Sequence, residues 1–462
     1  MLFSGIPFLF YFLPVVLILY FLAPNKLKNT VLLLCSLLFY AWGEPKYVFL
    51  MIASILLYYG FGLGIDCTKY KKVFLTASIL TGIVMLGVFK YADFFIDTVN
   101  SLTGASMSFF KLALPIGISF YTFQCISYTI DVYRGHTAAQ RNIIDFGTYV
   151  ALFPQLIAGP IVRYVDVAKE LRQRKNGWDQ IVAGLPRFLV GLGKKVLLAN
   201  QFGLLVEQFR NAASPSVLFY WMYAIAFTLH IYFDFSGYSD MAIGLGRIFG
   251  FHFPENFDYP YISGSITEFW RRWHMTLGGW FRDYVYIPLG GNRVSRGRWV
   301  VNILVVWMLT GLWHGAAWNF VLWGLLYAFM LLLEKWLPTL KRLPATLRHG
   351  YVLLTVVLGF VLFNATDIAQ AGQDFAGLFG LTDHPIATPE TFYYLRSYAL
   401  LFVMGILGAT PLLKFLRLRL ALSPLTEGCL TVAEPVALAI LLLVCTAYLV
   451  DGSFNPFLYF RF

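Results

Sequence analysis

The sequence predicts an all-α, polytopic integral membrane protein that forms one multi-pass domain over residues 1–462. Three observations carry that prediction. Of the 462 residues, 59% are hydrophobic and 13% charged, a charged share about half that of an average soluble domain. Apolar runs close to the ~20 residues needed to span hydrocarbon recur from end to end. The Lys and Arg residues stand in short loops between those runs, the pattern that orients helices in a membrane. The net charge of +11 is therefore assigned to membrane lipid head groups and not to nucleic acid.

In order along the chain, spans are expected at 7–23, 30–42, 47–65, 73–89, 113–130, 184–205, 215–234, 300–317, 318–334, 350–366, 397–413 and 433–450. The opening run has no positive charge before Lys26, so it lacks the basic start of a cleavable signal peptide and is expected to be retained. Placing the basic loops at Lys26 and Lys28, Lys69–Lys72, Lys341–Arg348 and Lys414–Arg419 in the cytoplasm gives a consistent alternation, with both termini outside. The stretch Asp367–Glu390 carries four acidic residues and no Lys or Arg, as suits an extracytoplasmic loop. Segments 148–162 and 236–251 are apolar but broken by Pro or Gly, and are expected to be re-entrant or buried. The five cysteines stand singly, without disulfide or metal-ligand spacing, so no metal is assigned.

Two places carry candidate chemistry. From Asn256 to Asn292 the chain is dense in polar and aromatic residues. Ser265 and Glu268 have capping-box spacing for a helix on which Trp270, Trp273, His274, Leu277 and Phe281 share a face, lying in the interface. Arg271, Arg272, Arg282 and Arg293, with Arg296 and Arg298, make a positive field suited to the phosphates of a coenzyme A donor, while for any single one of them lipid contact is the stronger expectation. In the run Trp307–Gly324, His314 stands among apolar residues, where an ionisable side chain costs on the order of several kcal/mol unless it faces a cavity or partner. Gly311, Gly315, Ala316 and Ala317 around it are expected to leave room for a substrate tunnel. A neutral imidazole there suits removal of a proton from a hydroxyl attacking a thioester.

Asp234 and Asp240 interrupt another apolar stretch, and pairing that holds a helix break is weighed against catalysis. The glycines of GLGRIFG (Gly244, Gly246, Gly250) and GLGKK (Gly191, Gly193) lack phosphate-loop spacing and are assigned to helix packing.

Five segments together resemble a known family: FPQLIAGPIVR at 153–163, PIGISFYTFQ at 115–124, FDFSGYSDMAIG at 233–244, FWRRWHMTLGGWFRDYVYIPLGGN at 269–292 and GLWHG at 311–315. With the opening MLFSGIPFLFYFLP and FYAWGEPKYVFL at 39–50, they are similar to the membrane-bound O-acyltransferases, in the bacterial branch of the alginate and peptidoglycan O-acetyltransferase membrane components. The resemblance implies about 11–12 transmembrane helices, with re-entrant and interfacial helices, around a central tunnel. It implies that His314 is the catalytic histidine and His274 a second one nearer the cytoplasm. It further implies acetyl-CoA as donor, an extracytoplasmic polysaccharide acceptor, a serine-hydrolase-like (SGNH-type) partner and residence in the bacterial inner membrane. The ending NPFLYFRF resembles a terminal acyl-carrying motif of the D-alanyl transferase's small partner, so residues 453–462 are expected to fold back into the outer funnel and offer Tyr459 as acyl carrier. D-alanyl transfer to teichoic acid, and a transporter or flippase for lipid-linked sugars, are the alternatives.

Overall fold

The computed structural model describes residues 3–212, 215–422 and 424–452, and among these there is helix but no strand. The helices are α1 (Leu13–Leu22), α2 (Lys28–Gly43), α3 (Val48–Cys67), α4 (Lys71–Leu86), α5 (Ala92–Thr103), α6 (Ile118–Arg134), α7 (Ile143–Ala151), α8 (Phe153–Leu156), α9 (Tyr164–Arg172), α10 (Trp178–Gly193) and α11 (Asn200–Arg210). They continue as α12 (Val217–Ile248), α13 (Ile266–Arg272), α14 (Met275–Phe281), α15 (Arg296–His314), α16 (Trp318–Trp336), α17 (Ala345–Asn364), α18 (Ile368–Leu378), α19 (Pro389–Gly408), α20 (Leu412–Leu420) and α21 (Pro424–Asp451).

Among the described residues, seven helical segments are long and apolar enough to cross a membrane: Val48–Cys67, Lys71–Thr103, Val217–Ile248, Trp318–Trp336, Ala345–Asn364, Pro389–Gly408 and Thr426–Asp451, with Phe8–Leu22 a shorter apolar one. The expected spans at 30–42 and 113–130 are helices of 16 and 17 residues. The one at 184–205 runs from α10 through a wider π-turn at Lys194–Ala199 into α11. Two expectations can be made sharper. Segment 236–251 is buried and not re-entrant, because α12 continues unbroken to Ile248; Gly237, Gly244 and Gly246 lie inside it, where their missing side chains admit neighbours closely. The acidic stretch 367–390 contains helix α18 in its first half, and Asp374 within it is buried and paired with Arg210 of α11 at 2.7 and 2.8 Å.

By contact density the chain divides into two compact units. The first comprises Met1–Phe188 and Tyr238–Glu255. Phe3, Phe8, Phe39, Phe153 and Tyr238 interlock as its aromatic centre. The chain leaves helical geometry at Leu152, turns through α8 and runs without helix from Ala158 to Arg163, mostly buried. Gln155 serves this backbone by donating to the Tyr149 carbonyl at 2.6 Å, as buried irregular chain requires. Gly117 has φ +74°, and a Cβ there would lie 2.7 Å from the Leu156 carbonyl oxygen, so the glycine of PIGISF is what lets it meet FPQL. Arg187 binds both Asp240, at 3.0 Å, and Glu255.

The second unit comprises Leu189–Gly237 and Asn256–Phe462. Its core is aromatic and continuous, with Tyr232, Phe269, Trp273, Trp323, Tyr327 and Phe360 all buried. Lys195, within the π-turn that follows α10, and Asp234 of α12 form a buried ion pair, 0% and 2% exposed. This answers the question posed by Asp234: the charges pair, and the helix stays whole. Asp240 is likewise paired.

Candidate active site

The site is assembled in the second unit from the α13–α14 turn and the α15–α16 hairpin. At the start of α13, Ser265 Oγ accepts from the Glu268 amide at 3.0 Å, as its spacing predicted. The Glu268 carboxylate accepts from Gly264, not from Ser265, so the reciprocal half of the capping box is shifted by one residue. Glu334 of α16 completes the cap: its carboxylate, 7% exposed, accepts from the Ile266 amide, from the Thr267 amide at 3.0 Å and from Thr267 Oγ1 at 2.7 Å. A carboxylate at a helix N-terminus satisfies orphan amides and opposes the helix dipole. It thereby ties α13 to α16.

The expected single helix through His274 is two helices. α13 ends before Trp273, His274 takes the left-handed conformation at φ 45°, ψ 52°, and α14 begins at Met275. For a residue with a Cβ that conformation costs about 1–2 kcal/mol, and such backbone persists where the surroundings impose it. The break changes which way the side chains point. Trp273 goes into the aromatic core against Phe257, Phe269 and Phe360, while His274 packs edge-on against Phe235 at 4.6 Å between ring centres.

Asn256, 18 residues earlier, holds the turn. Its backbone carbonyl accepts from the Met275 amide at 3.0 Å. Its Oδ1 accepts from Thr276 Oγ1 at 2.8 Å and from the Thr276 amide at 3.3 Å, and stands 3.0 Å from His274 Nδ1. The His274 ring is 1% exposed, its Nε2 has no hydrogen-bond partner among the described residues, and burial pushes its pKa down to about 3. The imidazole is thus neutral at neutral pH.

His314 is the last residue of α15 and 3% exposed, ringed by Trp313 and Trp323, each at 5.0 Å, and Phe363 at 5.3 Å. Its ring centre stands 6.4 Å from that of His274, and Trp313 touches both. Two histidines forty positions apart, each picked from sequence, are brought to one place.

The glycines near His314 do the opposite of what was expected. A Cβ on Gly311 would lie 2.2 Å from the Phe320 carbonyl oxygen, one on Gly315 would lie 2.2 Å from the Phe320 ring, and one on Gly324 would lie 2.2 Å from the Trp307 carbonyl oxygen. They let α15 and α16 pack backbone to backbone. The missing bulk is filled by the facing helix, so these glycines close space instead of opening a passage.

The arginines are less concentrated than the sequence suggests. Arg272 is paired with Glu268 and Asp258, each at 3.0 Å, and Arg282 with Asp283 at 2.7 Å. Arg271, Arg282 and Arg293 are exposed. Tyr459 lies outside the described residues, as does the whole tail 453–462. Sequence reasoning missed Asn256, Glu334 and Lys195. Glu334, an acid ending the apolar run LLLEKW, and Lys195, beside the apolar run of α10, carried the same signal that exposed His314. Asn256 carried none.

The membrane-bound O-acyltransferase family matches residues 136–367, which include both histidines. The chain is 43% identical over 394 residues to the probable alginate O-acetylase of Azotobacter vinelandii, covering 83% of this chain and 79% of that protein. It is 34% identical over 422 residues to the peptidoglycan O-acetyltransferase of Helicobacter pylori, covering 82% and 80%. Similarity to the teichoic acid D-alanyltransferase of Bacillus subtilis is lower, 28% over 265 residues, covering 54% and 67%. With its apolar helices, the chain belongs to the membrane-bound O-acyltransferase family and is a multi-pass membrane acyltransferase.

Proposed function

We propose that this protein moves an acetyl group from cytoplasmic acetyl-CoA toward an extracytoplasmic polysaccharide, with His314 as the base, in the inner membrane of a bacterium with both termini outside. The observation that carries the reading is the meeting of two buried imidazoles, 6.4 Å apart, in a chain of this family. The names of its relatives favour an acceptor of the alginate or peptidoglycan kind over teichoic acid. In the reaction a hydroxyl oxygen attacks the thioester carbonyl while His314 takes its proton; the C–O bond forms, the C–S bond breaks, and the proton passes to the departing thiolate. His274 supplies a hydrogen-bond acceptor for a second O–H or N–H donor of the bound reactants, the attacking hydroxyl's one proton going to His314. Exposed arginines, Arg271 and Arg293 first among them, attract the donor's phosphates.

In this reading the first acceptor is the phenol of Tyr459, which then passes acetyl to a sugar through a serine-hydrolase-like partner outside the membrane. A phenol with pKa near 10 needs a base, which His314 provides. The test uses purified full-length protein with labelled acetyl-CoA. His314→Ala is expected to lose activity by about 100- to 10,000-fold while still folding, and full activity in that variant refutes the role. Acetyl recovered on the C-terminal peptide supports the relay, whereas undiminished acetylation by Tyr459→Phe eliminates the relay and leaves His314 in place. A transporter would move substrate with no acyl transfer at all.

A further inference from the structure

We propose that Asn256 is a positioning residue that fixes the tautomer of His274, making Nε2 the ring atom that accepts a hydrogen bond from an O–H or N–H donor of the bound reactants other than the hydroxyl proton taken by His314. The inference rests on the reading that His274 serves acyl transfer, and it names the residue that sets how.

A neutral imidazole carries its hydrogen on one nitrogen, and the hydrogen bond made by the other decides which. The side-chain atom of Asn256 that faces His274 also receives the backbone amide of Thr276, at 3.3 Å. An amide N–H can only donate, so that atom is the oxygen Oδ1 and not the nitrogen, whichever way the side chain is drawn. Standing 3.0 Å from His274 Nδ1, an oxygen acceptor requires Nδ1 to carry the hydrogen. The lone pair is therefore on Nε2.

Nε2 is buried and has no hydrogen-bond partner among the described residues. Buried polar atoms are almost always satisfied, and an exception inside a site points to a ligand that satisfies it. An O–H or N–H donor fits that atom; a carbonyl oxygen or an anion does not. The left-handed backbone at His274 fits the same account, because Asn256 grips the turn twice, through its carbonyl on Met275 and through Oδ1 on residues 274 and 276. The ring is aimed by its backbone and set in protonation by its neighbour.

The experiment is solid-state NMR of the full chain in lipid nanodiscs with ¹⁵N-labelled histidine, assigning His274 by its loss in His274→Gln. The wild type is expected to show protonated Nδ1 and unprotonated Nε2; the opposite tautomer overturns the proposal without any variant. Asn256→Ala is expected to mix the tautomers and lower kcat for acetyl transfer from acetyl-CoA by about 10- to 100-fold, with KM changed by less than about twofold. Asn256→Asp, which keeps an acceptor oxygen, is expected to restore the tautomer and most of the lost kcat. Thr276→Val removes the other side-chain bond to Oδ1 and is expected to alter neither the tautomer nor kcat. Equal losses in Asn256→Ala and Thr276→Val, with the His274 spectrum unchanged, would assign Asn256 a purely structural role and overturn the inference. If the functional reading is at fault instead, the wild-type tautomer is found as stated and acetyl-CoA is not consumed.

Discussion

Lys195 and Asp234 illustrate what single residues do in this molecule. Removing one partner of a buried pair leaves an uncompensated charge and costs about 3–5 kcal/mol, whereas replacing both by apolar groups of similar volume is often neutral. Lys195→Met alone is therefore expected to lower thermal stability sharply in detergent, and Lys195→Met with Asp234→Leu to recover most of it. A catalytic role for either charge would instead show as a double variant that folds and is inactive. At this scale the sequence was legible wherever an ionisable group interrupted an apolar run. His314, Asp234 and Asp240 stood out for that reason, and Glu334 and Lys195 should have. Asn256 could not stand out, because a polar residue in a polar loop gains meaning only from the turn that brings His274 back to it.

At the level of elements, the α15–α16 hairpin places His314 with the least freedom. Because a Cβ on Gly311 meets backbone and not a side chain that could swing away, Gly311→Ala forces the helices apart. It is expected to destabilise by about 1–3 kcal/mol and to lower kcat by displacing His314; unchanged melting and activity would show that the hairpin tolerates the displacement. Helices long and apolar were visible in the sequence as such. The break at Trp273–His274 was not, since the residues on either side fit one helical periodicity and the left-handed turn is imposed by Asn256 from outside that window. The continuity of α12 was missed for the converse reason. Its glycines read as breaks in isolation, yet act as contact points once neighbouring helices are present.

For the molecule as a whole, the distribution of basic and acidic loops predicts a sidedness that can be measured. Cys67, exposed and beside the Lys69–Lys72 loop, is expected in the cytoplasm, and Asp383, between α18 and α19, outside. With Cys429 replaced by serine, an impermeant maleimide added to spheroplasts is expected to label Asp383→Cys at once, but to reach Cys67 only after lysis. Labelling of Cys67 in sealed spheroplasts would invert the topology and, with it, the direction of transfer. The fold class was readable at this scale because bilayer thickness leaves few ways to arrange apolar runs. The lateral arrangement of helices was not, since lipid-facing and protein-facing apolar residues look alike in one dimension.

The strained backbone at position 274 separates two kinds of optimum. Glycine or asparagine would occupy that geometry with less penalty, so a sequence redesigned for folding alone would discard the imidazole there, and a library screened only for thermal resilience should drift toward such replacements, with turnover expected to fall if His274 has its proposed role. Where those two selections pull apart along the chain, chemistry has overruled conformation.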